Sequence, residues 1–147
     1  MDAVLYGNKR IIHKGRLKMM THSKVMVVED DLDETMNIKL ILEKEGYTVI
    51  EAADGKEAQE KLKDERPDFI LLDVMMPEID GFAFCNWVKS RENLKDIPVA
   101  FLTAVSGHIS DSKYPRLGVV RAEADEYLEK PIKPEILLST IARLTKQ

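Results

Sequence analysis

From residue 24 onward, short continuous apolar runs alternate with stretches of helical spacing. Val25-Met26-Val27-Val28 is the first run and predicts a strand. Residues 32–45 follow helical periodicity, with Met36, Leu40 and Ile41 on one side and Gly46 as the stop. Tyr47-Thr48-Val49-Ile50 predicts a second strand, and Asp54 is placed to cap a helix over 55–64 that carries Ala58 and Leu62. Phe69 to Leu72 reads as the third strand and Phe82 to Ser90 as a helix. Pro98-Val99-Ala100-Phe101-Leu102 predicts a fourth strand, followed by a longer loop and a helix within 106–122. Glu126-Tyr127-Leu128-Glu129 predicts a fifth strand. Pro134 then sits in the first turn of a last helix bearing Ile136, Leu137, Ile141 and Leu144.

Strands and helices alternate five times, which predicts an α/β fold: a doubly wound, five-stranded parallel sheet with helices on both faces. Right-handed crossovers bring the C-terminal ends of all five strands to one edge. No second domain or internal repeat is visible in residues 24–147.

Residues 1–23 differ in character. The first 22 hold five Lys or Arg against one acid, two glycines and the short apolar pair Ile11-Ile12. They predict a basic leader without stable structure. Met19 and Met20, just before the first strand, also allow for a start site placed too far upstream. The whole chain of 147 residues has a formal charge of −4, so the body carries about −8, which argues against nucleic acid as a direct partner. The single cysteine, Cys85, excludes an internal disulfide and fits a reducing cytoplasm. No apolar stretch reaches the roughly 18 residues of a membrane span, so no membrane insertion is expected.

The candidate chemistry lies at the strand ends. Glu29 and Asp30 follow the first strand, Asp73 the third, Thr103 the fourth and Lys130 the fifth. Carboxylates converging on one crevice repel one another, and a hard cation such as Mg²⁺ is the usual remedy. There is no glycine-rich loop after the first strand, and Glu29-Asp30-Asp31 would repel a nucleotide phosphate. That counts against a dinucleotide or flavin site. A metal, a carboxylate, a hydroxyl and an ammonium together suit phosphoryl transfer, with the carboxylate as nucleophile.

Val-Val-Glu29-Asp30-Asp31, Leu-Leu-Asp73-Val-Met-Met-Pro77-Glu-Ile-Asp-Gly81, Phe-Leu-Thr103-Ala104 and Tyr127-Leu-Glu-Lys130-Pro131 together resemble the receiver domain of two-component response regulators. The resemblance spans about residues 24–146. It implies a flavodoxin-like sheet of order 2-1-3-4-5, an order for which receivers are themselves a standard example. It implies that Asp73 takes a phosphoryl group from a sensor histidine kinase or phosphotransfer protein. Asp30, Asp73 and the backbone carbonyl of Met75 would ligate Mg²⁺, and Glu29 would act through water. Lys130 would pair with Asp73 and then with the phosphoryl group, and the Lys130–Pro131 bond would be cis. Thr103 and Tyr127 would form the switch. Thr103 would move toward the phosphoryl group, the Tyr127 ring would turn inward, and a partner-binding surface would repack. The protein would then be a signalling switch that catalyses its own phosphorylation and dephosphorylation, rather than an enzyme acting on other substrates. The downstream effector is not named by these residues, and a homodimer through the surface of the last two helices is compatible with them.

Two other readings fit parts of the pattern. A Mg²⁺-dependent phosphohydrolase with an Asp nucleophile would want a second acid two residues after Asp73, where Met75 stands. A pseudo-receiver that binds partners without phosphorylation would not need this charge constellation. Thr103 and Lys130 are 27 positions apart, longer than the family pattern suggests, and Glu123-Ala124 replaces a usual Gly-Ala. His108 in this segment reads as a solvated loop residue, and Cys85 as a small buried hydrophobe. Met75 and Val105 cannot orient an attacking water by hydrogen bonding, which predicts slow loss of the phosphoryl group.

Overall fold

A computed structural model describes residues 3–6, 10–13, 16–19, 23–74, 81–104 and 124–145, the first three segments as backbone only. Its body contains β4 (Lys24–Val28), α1 (Leu32–Lys44), β5 (Thr48–Ala52), α2 (Gly55–Lys61), β6 (Phe69–Asp73), α3 (Gly81–Lys89), β7 (Val99–Thr103), β8 (Glu126–Glu129) and α4 (Pro134–Thr145), after three N-terminal strands. The five body strands form one parallel sheet of order β5-β4-β6-β7-β8, which is 2-1-3-4-5 counted from β4.

Continuous apolar runs form these strands because both faces of the sheet are covered. Alternate side chains go to opposite layers. Met26, Val28, Ile70, Leu72 and Phe101 join Ala58, Phe84, Cys85 and Val88 in one core layer. Val25, Val27, Phe69, Leu71 and Leu102 join Ile38, Leu42, Leu137 and Ile141 in the other. Cys85 is a buried free thiol, as expected.

Local signals explain the helix ends. Asp31 caps α1 and Asp54 caps α2, each accepting backbone N–H groups of the first turn. Gly46 ends α1 with φ 92°, a left-handed conformation that glycine adopts at no steric cost.

The side of α1 that carries Met36, Leu40 and Ile41 is mostly open: Met36 and Leu40 point to solvent, and Ile41 is partly buried against the core. Leu32, Met36 and Leu40 are 62% to 76% exposed, while Thr35, Ile38 and Leu42 are buried. Apolar residues occupy two faces of this helix, and packing against the sheet chose the one containing the β-branched Ile38.

In the leader, the backbone forms an antiparallel meander of β1 (Ala3–Tyr6), β2 (Arg10–His13) and β3 (Arg16–Met19). Ala3 pairs with His13, and His13 with Arg16. Residues of high strand propensity, such as Val4, Tyr6, Ile11 and Ile12, lie within these segments.

Candidate functional site

The chain runs from β4 outward to β5 and returns across to β6, so the sheet order reverses between β4 and β6. A crevice opens at the carboxyl ends of the strands at such a point. The acidic run after β4 divides its work there. The Glu29 N–H donates to the Ala52 carbonyl at 3.0 Å, extending the ladder by one residue and holding Glu29 in the interior. Asp31 is used as the helix cap, its Oδ1 accepting from Asp33 N at 2.9 Å and Glu34 N at 3.2 Å. Asp30, between them, is exposed.

Asp73 ends β6 and is only 3% exposed, and Glu29 only 2%. Lys130 follows β8, and its N–H donates to the Thr103 carbonyl at 2.7 Å, which ties the ends of β7 and β8 together. The Lys130–Pro131 bond is cis, as the resemblance implies. Thr103 is buried at the end of β7, its Oγ1 donating to the Leu128 carbonyl at 3.4 Å. Tyr127 sits in β8 and packs its ring edge-on to Phe101, with centroids 5.4 Å apart.

Carboxylate oxygens of Glu29, Asp30 and Asp73 all lie within 4.8 Å of one another. Lys130 Nζ reaches the same group, 3.3 Å from Asp73 Oδ2 and 3.5 Å from Glu29 Oε1. A fourth acid joins it: Glu34 Oε2, on the first turn of α1, is 3.3 Å from the same ammonium. Glu34 had not been singled out from the sequence. Its signal was its place in the first turn after Asp31, because helical side chains lean toward the N-terminus and here toward the crevice.

The electrostatics follow from this crowding. Burial pushes the Glu29 carboxyl up to about 8 from 4.5. Side-chain hydrogen bonding with Asp73 and the charge of Asp73 add to that, while the Asp31 N–H and Lys130 oppose it. For Lys130, burial lowers the value, but attraction to Asp73, Glu29 and Glu34 outweighs it and leaves the ammonium above its ordinary range. Glu29 Oε2 accepts the Asp31 N–H at 3.2 Å, whereas buried Oε1 makes no hydrogen bond. A buried carboxylate oxygen whose one cationic neighbour is the Lys130 ammonium at 3.5 Å, beside two further carboxylates, belongs to a donor set suited to a hard cation. The residues therefore fit a Mg²⁺-type ion.

Glu29, Asp30, Asp73, Thr103 and Lys130 are thus brought to one edge of the sheet, and Tyr127 lies on the strand leading to Lys130. The Met75 carbonyl, His108, Val105 and the extended 106–124 segment up to residue 123 lie outside the described residues.

The model of the response regulator receiver domain family matches residues 25–142. Response regulator MprA of Mycobacterium ulcerans is 38% identical over 124 residues, covering 84% of this chain and 50% of that protein. The chain thus spans about half the length of such relatives. Among solved structures, the receiver domain of a signal transduction histidine kinase from Syntrophus aciditrophicus matches with a TM-score of 0.73 and 39% identity, covering 84% of this chain and 90% of that one. The receiver domain of sensor histidine kinase PA1611 from Pseudomonas aeruginosa matches with a TM-score of 0.72 and 27% identity, over 86% of this chain and 100% of that one. It carries a magnesium ion coordinated in its active site cleft.

Proposed function

The chain belongs to the response regulator receiver domain family, and from that premise we propose that Asp73 is its phosphoacceptor. The donor is a phosphohistidine on a sensor histidine kinase or phosphotransfer protein. The observation that carries this reading is the Asp73–Lys130 pair, 3.3 Å apart, beside the carboxylates of Glu29 and Asp30 at the switch point of the sheet.

Asp73 is a nucleophile held at the end of a rigid central strand. An oxygen of its carboxylate bonds to phosphorus as the P–N bond of the donor breaks, and the electron pair leaves with the imidazole nitrogen, which takes up a proton. Asp30 and Asp73 would hold Mg²⁺ together with the Met75 carbonyl, and Glu29 stands behind them. When bound, Mg²⁺ supplies positive charge against the phosphoryl oxygens. Lys130 would supply a second cationic contact, and Thr103 a hydroxyl that can donate to a third oxygen once it leaves the Leu128 carbonyl. Transfer of this kind is mostly positioning and neutralisation of charge. The chain would in this way promote its own phosphorylation and hydrolysis.

The readout is a two-state surface. Movement of Thr103 toward the phosphoryl group opens space that the Tyr127 ring fills, at the cost of its edge-on contact with Phe101. The repacked face binds a downstream effector or a second copy of the chain.

The exposed Leu32–Met36–Leu40 stripe starts at the mouth of the crevice and is a surface a kinase or phosphotransfer partner can cover. The acidic body supports the expectation that this part of the protein does not itself contact nucleic acid. Among the described residues no helix is long and apolar enough to cross a membrane. A cytoplasmic location is the reading we favour for a chain acting with such kinases.

Incubation with Mg²⁺ and acetyl phosphate or phosphoramidate tests the central assignment. Intact mass should show one added phosphoryl group, absent from Asp73→Asn. Failure to form any adduct with either donor or a kinase would overturn it.

A further inference from the structure

Lys130 has more acids around it than its proposed task needs. Its ammonium is 3.3 Å from Asp73 Oδ2, 3.3 Å from Glu34 Oε2 and 3.5 Å from Glu29 Oε1. All three separations exceed the roughly 2.7–2.9 Å of a committed charge-assisted hydrogen bond, so the cation is shared. Glu29 and Asp73 are buried parts of the acid cluster. Glu34 is different: its side chain is 23% exposed, it belongs to α1 and not to a strand end, and the Asp31 cap holds its backbone. Its carboxylate is a partly exposed negative charge held against the same ammonium that faces Asp73.

We propose that Glu34 is a positioning residue that sets the rate and donor preference of phosphorylation by sharing Lys130 in the resting site. This rests on the assignment of Asp73 as phosphoacceptor. In the resting state Glu34 draws the Lys130 ammonium toward itself, away from the place a phosphoryl oxygen would occupy. It also repels donors in proportion to their charge. Once a phosphoryl group is on Asp73, its oxygens outcompete the single carboxylate and Lys130 moves to them, leaving Glu34 to solvent. Because the residue is partly exposed, its field is partly screened and weakens with salt.

The experiment compares wild type, Glu34→Gln and Asp33→Asn with dianionic acetyl phosphate and monoanionic phosphoramidate, in Mg²⁺, at low and high ionic strength. Glu34→Gln should react with acetyl phosphate faster by roughly five- to tenfold, about what one partly screened charge is worth. The gain should be smaller with phosphoramidate and shrink in high salt. Asp33→Asn, which removes an exposed charge one residue away, should leave the ratio of the two donor rates unchanged. An unchanged rate in Glu34→Gln, an equal gain with both donors, or the same effect in Asp33→Asn would overturn the proposal. If wild type forms no adduct at all, the phosphoacceptor reading falls and this proposal with it, an outcome distinct from a normal adduct with no Glu34 effect.

Discussion

Gly81 abuts the backbone of Asp73. A Cβ at position 81 would stand 3.1 Å from the Asp73 carbonyl oxygen and 3.1 Å from Val74 Cα. The start of α3 is therefore pressed against the strand end that carries the proposed nucleophile, and the neighbours are main-chain atoms that cannot swing aside. Overpacking of this kind costs about 1–3 kcal/mol. Alanine regains up to about 1 kcal/mol of helix propensity. Gly81→Ala should therefore lose on the order of 1 kcal/mol in chemical denaturation and also slow phosphorylation by a small donor. Unaltered stability and rate would show that the contact relaxes freely.

Glu29 makes the metal-free protein sensitive to pH. Its carboxyl is raised from 4.5 to about 8 in the folded state, so between these values the folded chain holds a proton that the unfolded chain has released. Stability contributed by this group is present in full below about 4.5 and falls as pH rises toward about 8. A divalent cation displaces that proton, so the increase in melting temperature caused by Mg²⁺ should grow over the same interval. Thermal melts from pH 5 to 9, with and without Mg²⁺, would reveal both slopes, and Glu29→Gln should flatten them.

Leu32, Met36 and Leu40 form an exposed face of α1 outside the core clusters of the described residues. Met36→Glu or Leu40→Glu should change stability by no more than about 0.5 kcal/mol. Labelling by acetyl phosphate should stay near the wild-type rate. Transfer from a histidine kinase that phosphorylates wild type should drop at least roughly tenfold, the loss expected when a charge enters a desolvated contact. Equal transfer to wild type and variants would place the docking surface elsewhere.

Lys89 holds the point at which the chain re-enters the sheet. Its Nζ donates to the Ile97 carbonyl at 2.9 Å and to Asp125 Oδ2 at 2.9 Å, while the same Asp125 oxygen accepts the Val99 N–H at 2.8 Å. The end of α3, the approach to β7 and the approach to β8 meet in this one cluster. Replacing Lys89 by Met leaves the Ile97 carbonyl without this donor and Asp125 without its cation. A loss of about 1–2 kcal/mol in urea denaturation is expected, discounted for the partial exposure of Asp125.

Met75 and Val105, the residues two beyond Asp73 and Thr103, offer no hydrogen bond to an attacking water. The phosphorylated chain should hold its label for many minutes or longer after the donor is removed. Met75→Asn should shorten that lifetime. Decay of the wild-type adduct within seconds would contradict the expectation.

Much of the fold follows from patterns that are local in the chain. A run such as Phe69 to Leu72 is apolar at every position because both faces of the sheet are covered, and that can be read without knowing its neighbours. Asp31, Asp54, Gly46 and Pro134 mark helix ends through contacts within a few residues. The strand-end positions of Glu29, Asp30, Asp73, Thr103 and Lys130 follow from the same reading, because parallel strands share one C-terminal edge.

What tertiary structure alone decided concerns sides and distances. Apolar residues lie on two faces of α1, and only docking against the sheet buried Ile38 and Leu42 and left Met36 and Leu40 in solvent. Three consecutive acids look alike in sequence, yet one is buried with its carboxyl raised, one faces the crevice and one is used as a cap. Glu34 meets Lys130, and Gly81 meets Asp73, through space. The physical reason is common to all of these. Periodicity and capping are set by backbone bonds a few residues apart, whereas the surroundings of a charge or an apolar face depend on how separate elements settle against one another.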